Sequence, residues 1–169
     1  MSQHFTLFQL EPAFDIDTAA LEQTYRSLAA RFHPDRHAAA SAFEQKQAMM
    51  MASAVNEAYR ILKNPIDRAA YLLEQHNIHA DSPEHTSFPP EFLMQQMEWR
   101  EALEDAATPA AVDALEDEVM QARKAGLARC EALIDHQGDY PAAAQQVRAL
   151  MFIARFADDI DRRREQLGQ

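Results

Sequence analysis

Cysteine, glycine, basic charge and long apolar runs are all scarce in this chain. Cys130 is the lone cysteine among 169 residues, which excludes an intramolecular disulfide framework, a CxxC redox pair and a thiolate zinc knuckle. Only three glycines are present, and there is no Gly-rich phosphate loop, no nucleophile elbow and no HExxH run. No stretch of 18 apolar residues occurs, so nothing is predicted to span a membrane. The N-terminal segment MSQHFTLFQLEP has no basic n-region ahead of a long apolar stretch and no Arg/Ser-rich transit character. A cytosolic protein is therefore expected. Sixteen Lys/Arg stand against 27 Asp/Glu, a net charge of −11, and so acidic a chain repels a phosphate backbone. Nucleic acid is not an expected partner.

The charge is uneven. Residues 1–76 carry seven Lys/Arg and nine Asp/Glu, whereas residues 77–169 carry nine and eighteen, net charges of −2 and −9. Two halves with different partners are implied. The apolar fraction of 47% is enough to fill a core, which excludes global disorder.

What is present is helix. Ala, Leu, Gln, Glu, Met and Arg dominate, β-branched residues are few, and no segment alternates apolar and polar over strand length. Pro12 closes a first short segment, His4 to Leu10. Asp17 is a plausible N-cap for a helix from Thr18 to about Phe32, with Leu21, Tyr25, Leu28 and Phe32 on one stripe. Pro34 ends it. Ser41 caps a long helix whose predicted stripe is Ala48, Met51, Ala52, Val55, Ala58, Tyr59 and Leu62, and Asn64-Pro65 starts another short one. His76 to Pro90 is polar and aperiodic and reads as a linker. Three more helices follow, from Pro90, from Pro109 behind the cap Thr108, and from Pro141. The middle one presents Val112, Leu115, Val119, Ala122, Gly126, Cys130 and Leu133 as a near-heptad seam. The last turns Val147, Leu150, Ile153, Phe156, Ile160 and Leu167 inward. Three amphipathic helices on short loops make an antiparallel bundle.

Two constellations stand out. His33-Pro34-Asp35 projects a His and an Asp from a turn that Pro forces directly after a helix. Such a pair can be a catalytic dyad, half a metal site, a recognition point, or simply a helix stop with polar flanks. Metal is disfavoured because Pro34 breaks the helix that would align His33 with His37. Cys130, on an apolar seam, reads as an inert core thiol.

The context of the tripeptide is more telling. FTLFQLEPAFDID, a helix containing Tyr25-Arg26, the His-Pro-Asp turn and then VNEAYRIL, Asn64-Pro65 and Arg68-Ala69-Ala70-Tyr71 together resemble the J-domain family across roughly residues 4–75. The resemblance implies docking on an ATPase chaperone of the DnaK/HscA type and stimulation of its ATP hydrolysis. His33, Pro34 and Asp35 match the family's essential loop. Arg26 and Arg31 occupy the place of its basic docking surface, with fewer Lys/Arg than the family usually carries. The helical geometry agrees, since with Leu21, Tyr25, Leu28 and Phe32 inward both arginines flank the buried stripe.

The second constellation is the helix opened by FLMQQMEWREALED. At about 100° per residue, Phe92, Trp99, Leu103 and Ala106 cluster as a core face. Leu93, Met94 and Met97 fall on another arc, interleaved with Glu98, Glu101 and Asp105. Either the bundle wraps far enough to bury these methionines, or a Leu/Met patch edged by carboxylates faces water as an interaction site. An acidic three-helix module directly after a J-domain resembles, over essentially the whole chain, the HscB family of iron–sulfur cluster co-chaperones. That resemblance implies a C-terminal module that binds the cluster scaffold protein IscU and delivers it to HscA. It maps scaffold binding onto Leu93, Met94, Met97, Glu98, Glu101 and Asp105, with Phe152 from the edge of the last helix's stripe. No cofactor, metal or enzymatic activity is implied. The cysteine-bearing N-terminal segment of some eukaryotic relatives is missing, which points to a bacterial protein.

The expectation is an all-α, L-shaped protein with a J-domain at 1–76, a linker at 77–90 and a three-helix client-binding domain at 91–169. One rival is a general J-protein holdase for unfolded clients. Another, a metal-dependent hydrolase built on His33 and Asp35, lacks a third ligand.

Overall fold

The computed structural model describes residues 2–82 and 88–168, and these form two compact units, 1–76 and 77–169. Every regular element among the described residues is helical. The first unit holds α1 (Gln3–Leu7), α2 (Thr18–Arg31), a 3-10 turn (Pro34–His37), α3 (Ala42–Lys63) and α4 (Pro65–Glu74). Side-chain caps set the helix starts: Asp17 accepts from the Ala20 N–H, Ser41 from Glu44, and Asn64 from Ile66 and Asp67. Each cap satisfies backbone donors that the helix itself cannot.

α3 is the central helix of this unit, with α1, α2, α4 and the 3-10 turn all packed against it. Val55, Ala58 and Leu62 are fully buried, Ala48 nearly so, while Met51, Ala52 and Tyr59 are half-buried. α1 is too short to persist alone, and it is held by burial of Phe5 together with Phe8 just beyond it. The ring of His4 stacks on Tyr71 at 4.5 Å, and the Tyr71 hydroxyl accepts from the His4 N–H. Arg68 is the least expected member of the core. Its buried guanidinium donates to the Phe14 and Leu62 carbonyls at 2.7 and 2.6 Å and lies over the Phe14 ring. It ties the approach to α2 and the end of α3 to α4.

The second unit holds α5 (Pro90–Asp105), α6 (Pro109–Glu131), a π-helical turn (Ala132–His136) and α7 (Tyr140–Gln166). α6 and α7 form the principal pair, and α5 packs on both. The close approach expected at Gly126 is present: a Cβ there would lie 2.9 Å from Leu150 Cδ2. Val112, Leu115, Val119, Gly126 and Cys130 are buried as expected, but the seam does not continue to Leu133. The π turn inserts extra residues per turn and rotates the chain, so Ile134 is buried and Leu133 only half so. An ideal 3.6-residue period cannot anticipate that shift.

The stretch 77–90 was expected as a linker. Residues 83–87 of it lie outside the described residues, while Asn77 onward belongs to the second unit, with Ala80 buried and Phe88 against Phe92. Asn77 itself adopts φ 61°, a left-handed turn that Asn tolerates better than most residues.

Two outcomes test this architecture. A fragment ending at residue 80 should melt cooperatively by circular dichroism, because the buried apolar residues of the first unit close among themselves. Arg68→Met in that fragment should cost about 2–4 kcal/mol in urea denaturation, since two buried carbonyls lose charged donors. A cost near zero would show that these carbonyls are satisfied without Arg68.

Candidate functional site

In the first unit, the His-Pro-Asp turn stands in solvent. α2 closes at Phe32, and His33 then adopts extended geometry (φ −62°, ψ 136°), as a residue before Pro must. The turn is fastened locally. His33 Nδ1 accepts from the Asp35 N–H at 3.2 Å, the Arg36 N–H donates to the His33 carbonyl, and His37 Nε2 lies 3.1 Å from the Arg31 carbonyl. The Gln45 amide of α3 donates to the Ala38 and Ala40 carbonyls. Side chains of His33 and Asp35 are 59% and 94% exposed, their polar atoms 3.7 Å apart. Their removal would leave no buried void.

Arg26 and Arg31 are both exposed, the latter over the Phe32 ring at 5.3 Å. Their outward placement follows from the α2–α3 seam. Tyr25 stacks on Tyr59 at 3.9 Å, its hydroxyl donates to Asn56 Oδ1, and the Tyr59 hydroxyl donates to Glu22. Acceptance of that bond by Glu22 raises the Tyr59 phenol above its ordinary value. With Tyr25 turned onto α3, the next residue faces away.

In the second unit, Trp99 sets the geometry of α5. Its ring is buried against the rings of Phe152 and Phe156, with centroids 6.5 and 5.8 Å away, and its indole N–H donates to Glu118 at 3.3 Å. Ala106 is buried beside it, whereas Phe92 and Leu103 are half-buried. The opposite arc is in water. Leu93, Met94 and Met97 are 45%, 62% and 70% exposed, and Glu98, Glu101 and Asp105 are exposed with them. The six predicted α5 residues therefore share one surface.

Phe152 does not join that surface. At 8% exposure it lies inside, edge-on to Phe92, stacked on Trp99 and Phe156, and covered by the Arg100 guanidinium at 5.4 Å. Its place is beneath the patch, where it supports α5, because the aromatic stack draws it inward from the edge of its stripe.

Several features were not anticipated. Phe43, Met49 and Met50 of α3 are exposed, and Met49 lines a groove with Pro34 and Asn56. Gln96 is buried in α5, with no hydrogen-bond partner for its Nε2 among the described residues. An amphipathic pattern averages over such individual positions. Cys130 is fully buried, and burial pushes its thiol up to about 12, which keeps it protonated and unreactive. Among the described residues, no group of three or more His, Cys, Asp or Glu side chains comes close enough to hold a metal. No helix among them is long and apolar enough to cross a membrane.

Comparison with known proteins bears on both units. Residues 3–71 match the model of the DnaJ domain, and residues 88–161 that of the HSCB C-terminal oligomerisation domain. A co-chaperone protein HscB homolog of Neisseria meningitidis is 57% identical over 163 residues, covering 95% of this chain and 98% of the relative. The solved structure of chaperone HscB from Vibrio cholerae superposes with a TM-score of 0.85 at 38% identity, covering 97% and 98% of the two chains. Human co-chaperone protein HscB gives a TM-score of 0.90 at 26% identity, over 95% of this chain and 81% of that one.

The two faces of α5 should separate cleanly in stability. Trp99→Ala should cost roughly 3–5 kcal/mol, as a large core truncation does. Met94→Ala and Met97→Ala should each cost under about 0.5 kcal/mol, being surface changes. Chemical denaturation of the three variants checks this. A Met94/Met97 double variant that melted as early as the Trp99 variant would place the methionines in the core.

Proposed function

The chain belongs to the HscB family of J-domain co-chaperones, and from that premise we propose that it delivers an iron–sulfur cluster scaffold protein of the IscU type to an Hsp70-type chaperone such as HscA and stimulates that chaperone's ATPase. The family is one of co-chaperones rather than of catalytic enzymes, so the hydrolysis belongs to the partner. The observation that carries the reading is the α5 surface. Three large apolar side chains stand in water among three carboxylates, on a helix that is otherwise anchored by a buried Trp. Exposed Met adapts to a folded surface, and the carboxylates favour a basic one.

Each unit then has its own task. The His33-Pro34-Asp35 turn, with Arg26 and Arg31, contacts the chaperone, the guanidiniums pairing with its carboxylates. Leu93, Met94, Met97, Glu98, Glu101 and Asp105 hold the scaffold. Carrying both surfaces on one chain raises the local concentration of scaffold at the chaperone, which gains apparent affinity without any new contact. The place of work is the bacterial cytoplasm, where the bacterial relatives' chaperone partners would be met.

A second reading has one observation behind it. The matched C-terminal family is described as an oligomerisation domain, so the α5 patch would meet a second copy. Charge weighs against it, because two such faces, in a half of the chain carrying a net −9, would bring carboxylates against carboxylates.

Single-turnover ATPase assays with the HscA-type chaperone test the first task. His33→Ala and Asp35→Ala should each abolish stimulation while melting temperature and scaffold binding stay parental. An unfolded variant would show that the turn is structural and remove support for docking. Calorimetric titration with the scaffold tests the second task. Met94→Ala and Met97→Ala should each weaken binding by about 1–2 kcal/mol. Charge reversal at Glu98 or Glu101 should slow association and flatten its salt dependence. Parental affinity in both methionine variants would move the client surface elsewhere, and tighter binding to an unfolded model substrate than to the scaffold would favour a general holdase.

A further inference from the structure

Beside the exposed patch, the second unit contains a groove of about 550 Å³ between α5 and the α6–α7 pair. Its floor is apolar, made of Ala122, Gly126, Ala149 and Leu150, and its α5 rim carries Glu91, Met94 and Glu98. The hollow has a local cause. Gly126 lets α6 close onto Leu150, while Ala122 and Ala149 are too short to fill the space above that contact. α5 closes it only in part: Phe92 and Met94 reach it, but the other places that α5 turns that way are taken by the polar Glu91, Gln95 and Glu98.

Placement on α5 separates this groove from the aromatic side of the patch. At about 100° per residue, Glu91 and Gln95 lie on one flank of the Leu93/Met94/Met97 arc, and Arg100, over Phe152, lies on the other. Met94 and Glu98 belong to patch and groove together, so a partner seated on the patch reaches the groove without a gap. The rim is charged on both sides. Glu91 and Glu98 are exposed on α5, and across the opening Arg129 of α6 is held by the Gln146 side chain at 3.1 Å. That bond draws the Arg129 guanidinium toward α7, although it keeps its charge, and the α5 side of the opening presents the carboxylates of Glu91 and Glu98.

Resting on the reading given under the previous heading, we propose that this groove is a second anchor pocket for the same folded scaffold protein, accepting one apolar side chain whose neighbour in the scaffold is a Lys or Arg paired with Glu91 or Glu98. The volume lies in the range of small-ligand pockets, so one apolar side chain enters with room to spare. An anchor in a preformed hollow also resists dissociation better than a contact on an open face. The groove therefore sets residence time, and the exposed methionines set the fit.

The test is calorimetric titration with an IscU-type scaffold protein, using Ala149→Trp to fill the groove, Glu91→Lys to reverse its rim, and Met97→Ala as the reference for the patch. Filling should weaken binding by about tenfold or more, and Glu91→Lys by about threefold to tenfold, with melting temperature parental. If Ala149→Trp melts early, Gln145→Trp, at an exposed position on the same groove, takes its place. Parental affinity in the filled variants together with weakened binding by Met97→Ala would overturn the pocket and leave the patch reading standing. Parental affinity in all of them would remove the patch reading as well. Loss of self-association, by sedimentation, with scaffold binding unchanged would assign the groove to a second copy instead and overturn the proposal.

Discussion

Burial of Trp99 is the constraint on which the second unit depends. A helix turns by about 100° per residue, so fixing one side chain in the core fixes the bearing of every other. Trp99 is held by the rings of Phe152 and Phe156 and by the Glu118 carboxylate, which leaves α5 no freedom to roll. Arg163 of α7 secures its far end, donating to the Ala106 and Glu104 carbonyls that the helix leaves open. Arg164, one residue on, bridges α7 to Asp113 and Glu116 of α6, and those bonds raise its affinity for its proton further. Exposure of Leu93, Met94 and Met97 is the consequence. It is a geometric remainder of a well-packed core, held on a rigid helix.

The first unit solves a different problem. Its prominent feature is a turn, and a turn cannot be held by a hydrophobic stripe. The His33-to-His37 segment is instead fastened by bonds that begin and end within a few residues, aided by Gln45 from α3. Because that fastening is local, the exposed His33 and Asp35 side chains are decoupled from the core beneath them. The Tyr25–Tyr59 stack does for α2 what Trp99 does for α5, deciding which side chains face out. In each unit an aromatic contact sets the roll of a helix, leaving Arg26 exposed on α2 and Leu93, Met94 and Met97 exposed among carboxylates on α5.

Legibility in the sequence followed the range of the interactions involved. Caps such as Asp17, Ser41 and Thr108 were readable because the donor they satisfy lies three residues away. Helix type and the α5 arcs were readable because period 3.6 is a local property. Close packing at Gly126 was readable from residue size, whereas Ala122, expected to pack closely too, is half-buried and lines the groove. Arg68 was not, since its partners lie 54 and 6 residues away and a charged residue gives no sign in isolation that it will be buried. Leu133 was misplaced because a π turn departs from the 3.6-residue period on which the seam was drawn. Phe152 was placed at an edge because its own helix shows only its bearing, while its burial depends on Trp99 and Phe92 from α5. The family resemblance identified the α5 surface through its motif, and it carried no information about the groove, whose walls come from three helices.

The carboxylates around the α5 patch also answer a difficulty that the patch creates. Contiguous exposed Leu and Met side chains invite association of a chain with itself, and every copy carries the same face. Interleaving Glu98, Glu101 and Asp105 makes that encounter repulsive, since an isologous contact would desolvate like charges against each other. The same charges attract a basic surface at longer range, where steering acts before any apolar contact forms. On the proposed function, one set of side chains would thus oppose self-association and guide a basic partner, and the apolar residues would need only to fit after encounter. The proposed groove would extend this division of labour, because Glu91 and Glu98 line it together with its apolar floor, so that charge to orient an incoming chain and a hollow to retain it would lie side by side.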